Sequence, residues 1–199
     1  MFSKKFRKHF LKFNIKHGFT LHHFCYKNGA GFTLLEVIIA IAVISIGLIG
    51  ILYLVSFSIS ASSVAKNKLI AANLAQEGIE LVRGIRDTNW VQGEDWDTGI
   101  EGTGNRRAGI IDYDDIDGLT SYFNPPPSDI DECGNNCRVY LKNDFYTHDS
   151  SGGSSTNFYR LILLDKISPT QIEVTCEIKW TEHSKSYYLT VKDYLYEWQ

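Results

Sequence analysis

Residues 37–59 carry no charged side chain and read VIIAIAVISIGLIGILYLVSFSI. As a helix this run measures about 35 Å at 1.5 Å per residue, and roughly 20 apolar residues cross a bilayer. Its apolar side chains point to every side instead of forming one stripe, unlike a helix lying on a soluble core. Two other readings compete with a membrane span. One is a fully buried core helix. The other is a secretory signal peptide, for which Ser60, Ala61, Ser62 and Ser63 offer small residues at a cut site. Charge brackets the run unevenly. Residues 1–31 hold Lys4, Lys5, Arg7, Lys8, Lys12, Lys16 and Lys27 and no acidic residue, whereas the rest of the chain holds 13 basic and 23 acidic residues. A basic head before a span predicts a cytoplasmic N-terminal segment beside anionic lipid and a body on the other side. An acidic body argues against nucleic acid as a partner, with Arg106-Arg107 as a small local exception.

The entry to the run is Gly31-Phe32-Thr33-Leu34-Leu35-Glu36-Val37. A carboxylate at the start of a membrane span is costly, and such residues are usually paired and functional; the plainer reading is an interface marker. The string GFTLLEVIIAIAVI resembles the processing site of type IV prepilins and type II secretion pseudopilins. That resemblance implies a membrane prepilin peptidase cutting between Gly31 and Phe32, N-methylation of Phe32, and Glu36 as the glutamate required five residues into the mature chain. Thr33, Leu34 and Leu35 complete the motif. It also implies partners: other pilin subunits through the N-terminal helix, the lipid bilayer, and a pilus or secretion assembly machinery. Physical chemistry fits these roles. Gly31 lets a protease approach the backbone closely. Cutting there exposes an amine one helical turn from Glu36, and a carboxylate paired with it in a packed bundle costs much less than either charge alone. Upstream, Gly18-Phe19-Thr20-Leu21 copies half of the motif, but His23 stands where the glutamate is needed and no apolar run follows. Cys25 and the histidines His9, His17, His22 and His23 fall in the 1–31 leader and are expected to leave with it.

Beyond the 32–59 span, residues 60–89 keep a helical period. Leu74, Leu81 and Ile85 lie near one face, with Ala75, Ile79 and Val82 beside them. Gly78 and Gly84 weaken the helix by about 1 kcal/mol each against Ala, and Asp87-Thr88-Asn89 is the expected stop. Residues 90–137 form a long loop rich in Gly, Asp and Asn, with a short strand over 108–112. Asp112, Asp114, Asp115 and Asp117 before Gly118 raise calcium as a cofactor. The spacing fails, because an EF-hand loop aligned on Gly118 puts Tyr113 and Asn124 at ligand positions. A solvated acidic turn with no cofactor is the expectation.

Residues 138–199 alternate as strands. Val139, Leu141 and Phe145 lead the first, and 158–164 is more continuously apolar. Ile172, Val174, Cys176, Ile178 and Trp180 share one face of the third. Tyr187, Leu189 and Val191 repeat the pattern in the last, with turns at Pro169-Thr170 and over 182–185. The predicted fold is α+β: a long N-terminal helix packed on one face of a C-terminal antiparallel meander whose other face is wet. The C-terminal string IEVTCEIKWTEHSKSYYLTVKDYLYEW resembles the last hairpin of minor pilins and minor pseudopilins. Cys133 and Cys137 flank a turn-forming Gly-Asn-Asn and could close a small disulfide outside the cytoplasm, while Cys176 reads as a buried small residue.

No nucleophile elbow, phosphate loop or metal-spaced histidine pair occurs, so an enzyme is not expected. The expected product is a pilin-like structural subunit, anchored in the membrane before assembly and a minor component of a pilus or pseudopilus. The competing reading is a tip-located adhesive or DNA-uptake minor pilin, with Trp90, Trp96, Tyr113, Tyr122 and Phe123 as an adhesive surface, or a minor pseudopilin of a type II secretion system.

Overall fold

A computed structural model describes residues 31–100, 106–115, 118–119, 123 and 125–198. The leader features, Asp117, Tyr122 and Asn124 lie outside the described residues. The chain divides into two units, Met1–Gly50 and Ile51–Gln199. In the first, the described part is the beginning of helix α1 (Leu34–Gln92). Every residue from 31 to 62 is exposed. An apolar helix surface of that extent has no counterpart in a water-soluble core, and its length and composition suffice to cross a membrane.

In the second unit α1 becomes one-sided. Ala71, Leu74, Ala75, Gly78, Ile79, Val82 and Ile85 are buried at spacings of three and four, the signature of a face turned to a core. The helix runs past the expected stop at Asp87-Thr88-Asn89 and ends at Gln92. Thr88 spends its hydroxyl on the Gly84 carbonyl at 2.7 Å, and Asn89 holds the carbonyls of Trp96 and Thr98 at 3.2 and 2.8 Å. Thr88 bonds back onto its own helix and the Asn89 side chain reaches past its end, and neither opens the helix. The stop is a Schellman turn instead: Glu94 N–H donates to the Asn89 carbonyl, Gly93 N–H to that of Trp90, and Gly93 takes φ +76°.

Among the described residues the sheet has six antiparallel strands: β1 (Arg106–Gly109), β2 (Arg138–Lys142), β3 (Phe145–Thr147), β4 (Ser154–Ser168), β5 (Gln171–Glu182) and β6 (Lys185–Tyr196). Their order is β3-β2-β4-β5-β6, and β1 joins the same edge of β4 as β2. β1 lies opposite Ile162–Asp165, and β2 opposite the stretch from Ser154 to Tyr159. Only β4-β5-β6 is a meander. The expected first strand is a hairpin, broken by Asn143 and Asp144 at φ 52° and 67°. Two consecutive left-handed residues make the turn whose twist suits paired strands. His183 and Ser184 build the same turn between β5 and β6.

The main core lies between α1 and the sheet, with Leu74, Val82 and Ile85 among Ile162, Val174, Cys176 and Ile178. Gly78 sets the helix-to-sheet distance. A Cβ there would stand 2.9 Å from Ile162 Cδ1 and 3.2 Å from Cys176 Sγ. The second face of the sheet is not simply wet. Ala108, Ile110, Ile130, Cys133, Cys137, Leu161 and Leu163 form a smaller core there, with Phe123 and Tyr159 packed on it. Its lid is helix α2 (Ile130–Cys133) and the 3-10 turn Gly134–Cys137. This double burial explains the continuous apolar run in β4, since a strand covered on both faces does not alternate.

Candidate functional site

The motif residues gather at the first turn of α1. Gly31, Phe32 and Thr33 precede the helix in open backbone, and Phe32 is 80% exposed. Thr33 caps the helix. Its hydroxyl accepts from Glu36 N–H at 3.3 Å, and its carbonyl accepts from Glu36 and Val37 at 3.1 and 3.2 Å. Thr33-Leu34-Leu35-Glu36 has the spacing of a capping box, and a carboxylate in the first turn suits the positive end of the helix. The entry therefore fixes where the helix starts, with the Gly31–Phe32 bond just outside it. Among the described residues, a side chain at Gly31 would meet nothing within 4 Å.

Cys133 and Cys137 are joined as a disulfide with Cα atoms 5.7 Å apart, and both are buried in the smaller core. Asp129 caps the lid by accepting from Asp131 and Glu132 N–H. Ile130 N–H donates to Glu177 Oε2 at 2.9 Å, and burial pushes that carboxyl up. Asp131 accepts from Lys179 Nζ at 2.5 Å and from the Tyr188 hydroxyl at 3.2 Å. Cys176 is a free, buried thiol on the α1 side of β5, and desolvation raises its pKa to about 12.

The sequence reading missed a buried polar cluster. Arg160, fully buried, reaches Ile111 carbonyl at 2.6 Å, Asp112 Oδ1 at 3.4 Å, Leu74 carbonyl at 3.5 Å and Glu77 Oε1 at 3.2 Å. Asp112 is not a solvated turn residue. It accepts from the Thr147 hydroxyl, His148 N–H and His148 Nδ1 at 2.9, 2.8 and 2.7 Å. Desolvation pushes its carboxyl up, but the bonds from His148 and Thr147 together outweigh this and leave it below the ordinary range. His148 Nε2 faces the Arg160 carbonyl at 3.3 Å, so both ring nitrogens are engaged inside the cluster. The cluster ties α1, the segment after β1 and the turn after β3 to one arginine. A single charged residue inside the apolar 158–164 run was the signal that could have found it.

Other predicted residues do not converge. Trp96 is buried in the main core, Phe123 packs on the smaller one, and Tyr113 lies against Phe145. Trp90 meets Trp198 edge-on, with the Arg86 guanidinium 5.3 Å over the Trp198 ring. Arg106 forms a two-pronged pair with Asp165, and Arg107 donates to the carbonyls of Gly99 and Leu119. Among the described residues no three His, Cys, Asp or Glu side chains gather to hold a metal.

Comparison with curated proteins and with solved structures gives no match. Comparison with family models does. Residues 26–52 match the prokaryotic N-terminal methylation motif, so the match brackets the capped helix start and the apolar run behind it. Behind that motif a long helix packs on an antiparallel sheet, so the chain carries the N-terminal methylation motif, the hallmark of the type IV prepilin and pseudopilin family, at the head of an α+β fold.

Proposed function

We propose that the chain is the precursor of a minor pilin-like subunit. A prepilin peptidase cuts it between Gly31 and Phe32, Phe32 is N-methylated, and the subunit is drawn from the membrane into a type IV pilus or pseudopilus. The observation that carries this is the position of that bond: exposed, non-helical, two residues before a capped helix whose next turns are apolar on every side. The new amine would stand one turn from Glu36. In a bundle of such helices the carboxylate can neutralise the amine of its own chain or a neighbour's, which makes Glu36 a register mark for docking. The subunit is structural, not catalytic, and its histidine–aspartate pair is turned inward.

Mass spectrometry of the chain in membrane and filament fractions tests this. The expected mature N-terminus is N-methyl-Phe32, and Glu36→Ala protein is expected to be cut and to remain in the membrane fraction. A start after Ser60, or an intact Met1, overturns the processing reading. Normal filament levels of Glu36→Ala overturn the pairing role.

A further inference from the structure

The two edges of the sheet are built differently. At one flank β3 is three residues long, and β2 shifts register against β4 between Arg138 and Tyr140. Short strands and bulges are the devices that blunt an edge. At the other flank β6 pairs with β5 through twelve consecutive positions, from Glu182 opposite Lys185 to Gln171 opposite Tyr196, with no shift. Among the described residues nothing pairs with its outer side. A regular antiparallel strand turns the N–H and C=O of every second residue toward that open side. The charges of β6 sit at Lys185, Lys192 and Asp193, which leaves Ser186–Val191 uncharged and without proline.

Beside this edge runs a groove between β6 and α1. Ala72, Ile79, Leu189 and Val191 form its apolar part, and Arg83, bonded to both Glu80 and Asp193, lines its charged part. Leu189 and Val191 face the main core yet remain half-buried, because α1 does not reach over them.

We propose that β6 takes an added strand: an extended segment of a neighbouring subunit, hydrogen-bonded along Ser186–Val191, with apolar side chains at alternate positions seated in the groove. The chemistry selects this occupant. A helix spends its backbone groups internally and a lipid chain has none to offer. An extended backbone supplies donors and acceptors at the strand spacing, about 4.8 Å away, and turns every second side chain to the groove side. The inference rests on the filament reading above.

Hydrogen exchange read residue by residue tests it, on full-length processed protein in filaments and on the same protein extracted in detergent before assembly. The expected result is at least about tenfold slower exchange, on assembly, at every second amide of Ser186–Val191, since paired strand amides exchange only by opening. Filaments whose β6 amides exchange as in the free subunit overturn the added strand and leave the filament reading standing. Protection already present in the free subunit overturns it too, because the chain then covers its own edge. Failure to enter filaments at all sinks the filament reading, and the added strand with it.

Discussion

The two faces of the sheet are held by different means. Toward α1, a regular stripe of small and branched side chains meets the inward residues of β4, β5 and β6, and one buried arginine links the surrounding segments. On the other face seven of the described residues make the buried cluster, and the lid over them is two short turns. So few apolar groups contribute little burial. The lid is fastened instead by a disulfide, a capping aspartate and the contacts of Glu177 and Asp131. A periodic face draws on many weak contacts and a patched face on a few specific ones. Damage should therefore spread through the first and stay local in the second.

The largest effect is expected at Arg160. Arg160→Met leaves Asp112 and Glu77 without their shared cation, and breaking a buried pair on one side typically costs about 3–5 kcal/mol. Thermal unfolding of the variant should show one lowered transition that includes the helix signal. The cluster also gives a pH dependence. The folded Asp112 carboxyl titrates below its unfolded value. It therefore contributes stability above about pH 4, and that contribution is lost as pH falls through the folded value. Removing the ring bond that lowers the folded value, in His148→Ala, should weaken that loss relative to the unaltered protein, whereas for Arg160→Met the test is the melting temperature itself. An unchanged melting temperature would mean that the arginine is a passive filler.

A smaller effect is expected from the disulfide. Closing so short a loop stabilises by about 2 kcal/mol in the chain-entropy account. The Cys133→Ser/Cys137→Ser double variant should exchange amide hydrogens faster over 130–137, with α1 amides over 71–85 unchanged. Loss of protection on both faces together would erase the distinction drawn between them.

The smallest is Glu177→Gln. Its amide oxygen still accepts from Ile130 N–H, and the charge that burial disfavours is gone. Stability should stay within about 0.5 kcal/mol, as for most substitutions that remove no specific partner. A drop comparable to the disulfide variant would show that the carboxylate charge itself fastens the lid.

The same contrast governs what the sequence discloses. The α1 stripe and the inward positions of β5 repeat at 3.6 and 2, so Leu74, Val82, Val174 and Ile178 could be placed without coordinates. The helix entry was equally legible, because Thr33 and Glu36 carry their cap in adjacent sequence. The lid was not, since Leu161 and Leu163 meet Ile130 and Cys133 from far along the chain and no period links them. Nor was the Arg160 cluster, whose partners lie on three segments. The helix stop was misplaced for a local reason: Thr88 and Asn89 look like breakers, but their side chains bond elsewhere and Gly93 does the stopping. The Asn143-Asp144 turn went unread because neither residue is glycine, although both tolerate the left-handed conformation.

The capped start of α1 bears on the energetics of maturation. Because the described helix begins at Leu34, a protease opening the Gly31–Phe32 bond would break no hydrogen bond of the helix behind it. Removal of residues 1–31 leaves the donors and acceptors of the first turn as they were. Under the proposed cut, substrate and product would share this first turn, and maturation would change the electrostatics of this end of the helix without remodelling it. What neighbouring helices would then meet is the same capped first turn with a cation newly placed beside it.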